Sequence, residues 1–321
     1  MIRLDALTKV YATPQGQVAA VDRVSLDVAE GETCVLLGPS GCGKTTTLRM
    51  INRLVVPTSG KIFIGGRDTD AADPVLLRRT IGYVIQQIGL FPNMTVAENI
   101  GVVPRLLGWS SDRRRRRAEE LLAMLALDPE QFLGRYPNEL SGGQAQRIGV
   151  ARALAADPPV LLMDEPFGAL DPVNREAIQD EFLRMQRTLR KTVLFVSHDI
   201  DEAVKMADRI AIFRAGRLVQ CAAPDTLLAR PADAFVAGFV GSDRTLKRLR
   251  LIRVREVMAA ADGSDAGAGP TVAPDDDLRR VATLFLTHDR DALPCVDADG
   301  RVVGRVTRAA VAARLALEPS P

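Results

Sequence analysis

The chain has 321 residues, of which 42 are lysine or arginine and 40 are aspartate or glutamate, for a net charge of +2. That length exceeds what one compact core usually takes, so we expect a main domain with a smaller appendage. The near-neutral balance argues against a nucleic-acid-binding protein and against an acidic tail.

The cysteines and the apolar runs indicate the cellular compartment in which the chain functions. The four cysteines (Cys34, Cys42, Cys221 and Cys295) are scattered without a C-x-x-C pair, which fits a reducing cytosol better than disulfides or a zinc site. The first residues lack a basic segment followed by an apolar stretch, so we expect no signal peptide. No apolar run approaches the roughly 20 residues that span a bilayer, so any membrane role requires a partner.

A glycine-rich loop follows the apolar run Thr33–Leu37. That run predicts a strand, and Thr46–Met50 predicts a helix. The G-x-x-x-x-G-K-T spacing of a P-loop is carried by Gly38, Pro39, Ser40, Gly41, Cys42, Gly43, Lys44 and Thr45, with Thr46 directly after them. Glycines let backbone N–H groups surround phosphates, and the helix N-terminus adds partial positive charge. We therefore predict a nucleoside triphosphate site in which Lys44 reaches the β- and γ-phosphates and Thr45 binds Mg²⁺, the alternative being a chance glycine-rich turn.

Two adjacent carboxylates follow a second apolar strand. Val160–Met163 predicts a buried strand, and Asp164 and Glu165 come directly after it, where α/β sheets place their ligands. There Asp164 can hold Mg²⁺ while Glu165 polarises the attacking water as general base, unless both are solvated acids in a turn. A third strand, Thr192–Val196, precedes His198, which can contact the γ-phosphate and fix the attacking water.

A second helix start suited to an anion lies at residues 140–144. Ser141 is a good N-cap, Gly142 and Gly143 expose backbone N–H groups, and Gln144 leads into a helix. One nucleotide does not need two such surfaces. We therefore expect two copies of the chain to face each other, with each nucleotide between the P-loop of one copy and this segment of the other.

The LSGGQ motif at 140–144 is the signature of ABC ATPases, and the chain resembles that family over roughly residues 1–240. The resemblance implies an α/β fold of the P-loop NTPase type, with a mixed-sheet core and a helical subdomain at about 90–155. It also implies hydrolysis of ATP with Mg²⁺ by a homodimer. Ala145 and Gly168 depart from the commoner family residues, but neither removes a group that the chemistry requires.

The resemblance assigns roles to further residues. Tyr11 lies 27 residues before the P-loop and matches the aromatic residue that stacks on adenine. Gln86 matches the glutamine that contacts Mg²⁺ and the attacking water. Asp171 matches the end of the D-loop, and His198 matches the switch histidine.

The resemblance also implies partners. In this family a groove of the helical subdomain receives a short cytoplasmic helix of a membrane permease, and Phe91, Met94 and Val96 are candidates for its floor, with core packing as the alternative. The chain would then lie peripherally on the cytoplasmic face of the inner (plasma) membrane, served indirectly by an extracytoplasmic substrate-binding protein. The basic run Arg113–Arg117 precedes acids at 119–120, which favours a salt-bridged helix face over a nucleic-acid patch, so we expect no nucleic-acid partner.

Residues 83–92 and 239–244 resemble ATPases of the betaine, carnitine and choline importers. The chain is therefore predicted to be the energy-coupling subunit of an importer for quaternary ammonium osmoprotectants such as glycine betaine. One alternative is an importer ATPase for another small solute, such as an amino acid or a sulfonate. A further alternative is a soluble ABC ATPase that acts on nucleic acid or ribosomes, a class that usually has a second nucleotide domain or long coiled-coil insertions.

The tail, residues 253–321, resembles a single small α+β CBS motif. A helix is predicted from Leu278 to about Thr287, and two strands surround the turn at 299–300. Such motifs work in pairs, so we predict that the tails of two chains pair with each other, the alternative being an appendage that merely packs. Residues 241–252 are expected to be a solvated basic linker. The alternative is that the six cations from Arg244 to Arg255 bind anionic lipid head groups.

Overall fold

The computed structural model describes residues 1–14, 16–86, 89–168, 170–261 and 269–316, apart from the side chains of 172–174. The chain folds into two compact units, the first comprising Met1–Cys221 and the second beginning at Ala222. The first unit therefore ends before the domain end at residue 240 that was expected from the sequence.

Strands and helices alternate along the first unit and form a smaller α+β group in the second. In chain order the strands are β1 (Ile2–Thr13), β2 (Gly16–Val28), β3 (Thr33–Leu37), β4 (Ser59–Ile64), β5 (Arg67–Asp68), β6 (Ile81–Val84), β7 (Val160–Asp164), β8 (Thr192–Val196), β9 (Arg209–Arg214), β10 (Arg217–Ala222), β11 (Ala259–Ala260), β12 (Ala292–Val296) and β13 (Val302–Thr307). The helices are α1 (Lys44–Ile51), α2 (Pro74–Arg79), α3 (Val96–Ile100), α4 (Val102–Leu106), α5 (Ser111–Met124), α6 (Pro129–Phe132), α7 (Gly142–Leu154), α8 (Pro172–Leu189), α9 (Ile200–Met206), α10 (Pro224–Ala229), α11 (Ala234–Val240), α12 (Arg244–Arg248), α13 (Leu278–His288) and α14 (Arg308–Ala316). Among the described residues, none of these helices combines the length and the apolar character needed to cross a bilayer.

The first unit contains two sheets. The central sheet has the order β10-β9-β3-β8-β7-β6, and every neighbouring pair from β9 to β6 is parallel. An antiparallel sheet has the order β2-β1-β4-β5. Strands β3, β7 and β8 are buried along their whole length, as their unbroken apolar sequences predict. The described residues between β6 and β7 form helices α3 to α7 and no strand, in the region expected to be helical. This arrangement confirms the predicted α/β fold.

Helix α5 carries the basic run. Arg115 Nε lies 3.0 Å from Glu119 Oε1, and Arg117 Nη1 lies 3.2 Å from Glu120 Oε2. These pairs are four and three residues apart, the spacings at which helix side chains meet. The run is therefore part of a salt-bridged helix face, as predicted.

The second unit has an antiparallel sheet in the order β11-β13-β12 with helices α13 and α14. Its core includes Val281 on α13, Leu293 on β12 and Val306 on β13. The turn between β12 and β13 contains Gly300 with φ of 79°, a backbone conformation that favours glycine. Helix and strands thus lie where the CBS-like motif was predicted.

The segment expected to be a solvated linker is folded. Arg244–Arg248 forms α12, in which Lys247 and Arg248 are only 8% and 5% exposed. Each cation has a nearby acid: Lys247 Nζ donates to Asp243, and Arg248 Nε donates to Asp225 Oδ1 at 2.6 Å. Buried and paired, these two cations do not form a surface for lipid head groups.

Arg248 joins three helices of the second unit. From α12 it contacts Asp225 on α10, and its Nη1 donates to the carbonyl oxygen of Leu315 on α14 at 2.8 Å. Arg314, also on α14, has its Nη2 3.9 Å from Asp225 Oδ2 and 3.7 Å from Glu256 Oε2. The packing of α14 therefore depends on one carboxylate that serves two guanidinium groups.

Replacing Asp225 with alanine should destabilise the second unit by about 3–5 kcal/mol, because the Arg248 guanidinium is left buried without its carboxylate. Amide hydrogen exchange across residues 308–316 should accelerate accordingly. The matched control is Asp275→Ala, which removes an exposed pair with Arg255 and should change stability by less than about 1 kcal/mol. Equal exchange of α14 in the two variants would contradict this assignment.

Candidate functional site

Four loops leave the same edge of the central sheet. Strands β3, β8, β7 and β6 are parallel neighbours, so their carboxyl ends lie side by side, and Asp164 is in register with Val196. The P-loop follows β3, His198 follows β8, Glu165 follows β7 and Gln86 follows β6. Residues from four distant parts of the sequence are therefore brought to one edge.

Two glycines of the P-loop occupy positions that no side chain fits. Gly38 has φ of +146°, and an added Cβ would lie 2.3 Å from the carbonyl oxygen of Phe213. Gly43 has φ of +104°, and its Cβ would lie 2.3 Å from the carbonyl oxygen of Ala20. The loop can thus hold its tight conformation only with glycine at both positions. This conformation is suited to presenting backbone N–H groups to phosphate oxygens.

The Lys44 ammonium lies within the P-loop. Its Nζ donates to the carbonyl oxygens of Gly38 at 2.6 Å and Pro39 at 3.0 Å, and the side chain is buried. Cys42 is also buried, with its Sγ 3.7 Å from Nζ, in keeping with its interpretation as a small filler of the loop. A desolvated cation within a loop of this conformation can bind and stabilise anionic oxygens strongly.

A hydroxyl and a carboxylate meet beside the P-loop. Thr45 Oγ1 donates to Asp164 Oδ1 at 2.9 Å, and Asp164 is 2% exposed. Burial raises the pKa of the Asp164 carboxyl, although the Thr45 hydrogen bond opposes that rise. Hard oxygen ligands of this kind suit Mg²⁺, which also relieves the burial of negative charge. The donor set therefore fits the predicted metal.

Three predicted catalytic side chains meet at one carboxylate oxygen. Gln86 Nε2 donates to Glu165 Oε2 at 3.1 Å, and His198 Nδ1 lies 3.5 Å from the same oxygen. Glu165 has φ of +48°, a left-handed conformation, and its N–H donates to the carbonyl oxygen of Val196 at 3.0 Å. This unusual backbone conformation is held by the neighbouring strand and aims the carboxylate at the residues beside it. The group can act as a general base whose position is set from two sides.

The 141–144 segment is a capped and exposed helix start. Ser141 Oγ accepts from the Gln144 N–H at 3.3 Å, and Gln144 Oε1 accepts from the Ser141 N–H at 2.9 Å. Gly142 is exposed, and nothing lies within 4 Å of a Cβ added there. Among the hydrogen bonds and ion pairs of the described residues, none joins this segment to residues 38–46 of the same chain.

Tyr11 and Asp171 lie outside this cluster of side chains. Tyr11 on β1 is 41% exposed, and Lys9 Nζ lies 5.1 Å from its ring centroid. Asp171 precedes α8, and its carbonyl oxygen accepts from the Arg175 N–H at 2.9 Å. Residue 169 of the D-loop lies outside the described residues. Stacking of Tyr11 on adenine and the D-loop role of Asp171 stay predictions.

Sequence reasoning did not single out Arg49 or the residues behind His198. Arg49 lies four residues after Thr45 on α1, and its charge attracts the Asp164 carboxylate. The available signal was the spacing of one helical turn between Arg49 and Thr45, the hydroxyl predicted to bind the metal. Ser197 and Glu202 form a buried contact next to His198 that no local pattern indicated.

Asp164→Asn should make the nucleotide-free chain more stable while lowering ATP hydrolysis about 10- to 100-fold. Because burial raises the pKa of Asp164 above its unfolded value, the ionised form is disfavoured in the fold, and the amide removes that cost while still accepting from Thr45. Protonation of Asp164 favours folding. The stability difference between the wild type and the Asn variant should therefore be small below the unfolded pKa of Asp164 and should grow as pH rises through its folded pKa. Urea denaturation at acidic and neutral pH measures this, and an Asn variant less stable than the wild type at neutral pH would contradict it.

Comparison with known proteins agrees with this geometry. A family model described as ABC transporter matches residues 21–168, and one described as CBS domain matches residues 268–317. An osmoprotectant import ATP-binding protein of Salmonella typhimurium is 61% identical over 309 residues, covering 96% of this chain and 79% of that protein. A glycine betaine/carnitine/choline transport ATP-binding protein of Bacillus subtilis is 50% identical over 307 residues, covering 95% of this chain and 78% of that protein.

A solved structure is similar as well. It is a dimeric ATP-binding cassette in a post-hydrolysis state bound to ADP and phosphate, with 38% sequence identity and a TM-score of 0.63, covering 70% of this chain and 98% of that chain. The ABC transporter match includes the P-loop, the 141–144 segment and the carboxylates Asp164 and Glu165. The chain therefore belongs to the ABC transporter family, as an ATP-hydrolysing subunit with a C-terminal CBS domain that is similar to the subunits of osmoprotectant importers.

Proposed function

We propose that this chain powers the uptake of quaternary ammonium osmoprotectants, such as glycine betaine, through a membrane permease. The observation that carries the proposal is the meeting of Gln86 and His198 at the Glu165 carboxylate, beside the P-loop. The cargo class is supported by the names of the relatives, one for osmoprotectant import and one for glycine betaine, carnitine and choline transport.

ATP is bound chiefly by the P-loop. Its backbone N–H groups and the Lys44 ammonium hold the phosphates, and Tyr11 stacks on adenine. Thr45, Asp164 and Gln86 supply the hydroxyl, carboxylate and amide oxygens that Mg²⁺ prefers. Mg²⁺ held by these residues would supply the positive charge that neutralises the phosphate oxygens.

Hydrolysis depends on positioning more than on covalent chemistry. Glu165 accepts a proton from the attacking water as general base. Gln86 and His198 hold that carboxylate and the water in line with the γ-phosphate. Lys44 stabilises the negative charge that develops on the phosphate oxygens in the transition state.

Two copies of the chain share each ATP. The exposed helix start at Ser141, with its open Gly142, supports this arrangement because it offers N–H groups and partial positive charge to an anion from outside the chain. Gly143 and Gln144 complete the segment, and Asp171 contributes the D-loop contact. The dimeric state of the solved cassette is consistent with it.

The permease docks on the helical subdomain. Phe91 is 43% exposed and lines a cavity of about 380 Å³ together with Leu54 and Val103. Met94 lines a second cavity of about 540 Å³. Val96 is fully buried, so it is a core residue rather than part of a groove floor. The half-exposed Phe91 cavity is the better candidate for a short apolar helix of the permease.

The remaining partners follow from this role. The chain lies peripherally on the cytoplasmic face of the membrane, and an extracytoplasmic substrate-binding protein delivers the cargo on the other side. The single CBS match supports pairing of the tails of two chains, because such motifs work in pairs. Nucleic acid has no part in this function.

ATP-driven uptake of labelled glycine betaine tests the proposal, in vesicles that hold this chain and its partner permease. Internal salt is varied. Glu165→Gln should lower uptake and hydrolysis about 10²- to 10⁴-fold, since it removes the general base. Glu30→Gln, a matched change at an exposed residue, should leave both unchanged.

The outcomes separate the alternatives. Salt-stimulated uptake that depends on Glu165 supports the osmoprotectant importer. Hydrolysis without betaine uptake points to another small solute, such as an amino acid or a sulfonate. Hydrolysis that responds only to nucleic acid or ribosomes would overturn the importer assignment.

A further inference from the structure

A buried polar network lies directly behind His198. Ser197, Gln179 and Glu202 are 1%, 5% and 7% exposed. Ser197 directly follows β8, Gln179 lies on α8 and Glu202 lies on α9. Burying three polar side chains costs free energy unless each is hydrogen-bonded. The way their donors and acceptors are used therefore indicates what the network holds in place.

Every hydrogen bond in the network has a defined direction. Ser197 Oγ donates to Glu202 Oε2, and Gln179 Nε2 donates to Glu202 Oε1 at 3.1 Å. When Glu202 is ionised its carboxylate only accepts, and the Ser197 proton then points to Glu202. That leaves the Ser197 oxygen free to accept the Asp199 N–H, at 3.0 Å. Glu202 thus fixes the orientation of the Ser197 hydroxyl, which accepts a hydrogen bond from the backbone N–H on the other side of His198.

The backbone on both sides of His198 is anchored. On one side the Ser197 N–H donates to the carbonyl oxygen of Leu36 at 3.1 Å. On the other side Asp199 caps α9, with its Oδ1 accepting from the Asp201 N–H at 2.8 Å. Between these anchors the imidazole is 63% exposed and reaches Glu165 Oε2. The orientation of His198 is therefore set by its backbone rather than by packing of its ring.

Helix α8 is tied to the same loop. Arg175 and Gln179 lie four residues apart, on one face of α8. Arg175 Nη1 lies 3.7 Å from Asp199 Oδ2, while Gln179 contacts Glu202. Because α8 begins directly after Asp171, a displacement of the preceding loop can be transmitted to the His198 loop through these two side chains.

We propose that Glu202 is a positioning residue for hydrolysis, which acts through Ser197 to align His198 with Glu165 and connects that alignment to α8. This inference rests on the proposed role of His198 in hydrolysis. Glu202 does not touch ATP or the attacking water. Its effect is confined to the geometry of the His198 loop.

Steady-state ATP hydrolysis by this chain, which gives kcat and KM separately, tests the inference with the isosteric variant Glu202→Gln. Ser197 and Gln179 both donate to Glu202 in the wild type. The amide nitrogen of the variant must face one of them and cannot accept, so the direction of the Ser197 hydroxyl is no longer fixed. We expect kcat to fall about 10- to 100-fold, as for a small misplacement of a catalytic group, while KM for ATP stays within about two-fold. Ser197→Ala should show the same split, and it supplies a second route should Glu202→Gln fold poorly. Glu176→Gln, at an exposed position of α8, is the matched control and should leave kcat unchanged.

The deciding measurement repeats Glu202→Gln in a His198→Ala background. If Glu202 acts only through His198, the second change should lower kcat by no more than about two-fold. A full additional loss would overturn the inference and leave the role of His198 intact. Wild-type kcat in His198→Ala alone would overturn the premise as well, which separates the two failures.

Discussion

The parallel alignment of β3, β8, β7 and β6 is the constraint on which the rest of the site depends. Each strand is followed at once by a loop that carries residues of the candidate site, and parallel neighbours end at the same edge of the sheet. The strands are buried along most of their length, so their register cannot slip without exposing apolar side chains. The rigid central sheet thus fixes the positions of the residues at its edge, which are Lys44, Asp164, Glu165 and His198.

This arrangement buries charged side chains, which costs free energy of folding. Lys44, Asp164 and Glu202 are each less than one-tenth exposed. Burial raises the pKa of both Asp164 and Glu202, so each ionised carboxylate is held against its preference for water. Hydrogen bonds from Thr45 and Ser197 offset part of that cost. Such groups make a folded chain less stable than it could be, and they are retained where the chemistry needs a desolvated charge.

Local patterns made much of the fold predictable. An apolar run followed by a glycine-rich loop, or by two acids, predicts a strand and the turn after it from about ten residues. This is possible because a strand, a turn and a helix start are local structures. The strands before Gly38, Asp164 and His198 were found in this way. So were the helix and the two strands of the CBS-like motif.

Pairings between distant residues were not predictable. Arg248 reads as a solvated cation in the sequence, yet its partners Asp225 and Leu315 lie 23 and 67 residues away. Gln179 and Glu202 likewise meet across 23 residues. The local sequence around a cation is the same whether or not a carboxylate far along the chain pairs with it. Only the packed structure separates an exposed cation from a buried one.

The helix start at Ser141 is exposed, and among the described residues no hydrogen bond or ion pair joins it to the P-loop of the same chain. A shared ATP site is therefore the central claim of the proposed function. Sedimentation velocity of the Glu165→Gln chain with Mg²⁺ and ATP tests it, with Gly142→Glu added in a second variant. The fold tolerates that change, since nothing lies within 4 Å of a Cβ at Gly142 and an acid suits a helix N-terminus, but its charge repels phosphate. We predict an ATP-dependent dimer for Glu165→Gln that persists with Gly142→Ala and is lost with Gly142→Glu. An ATP-bound monomer, or a dimer indifferent to the charge at Gly142, would contradict the shared site.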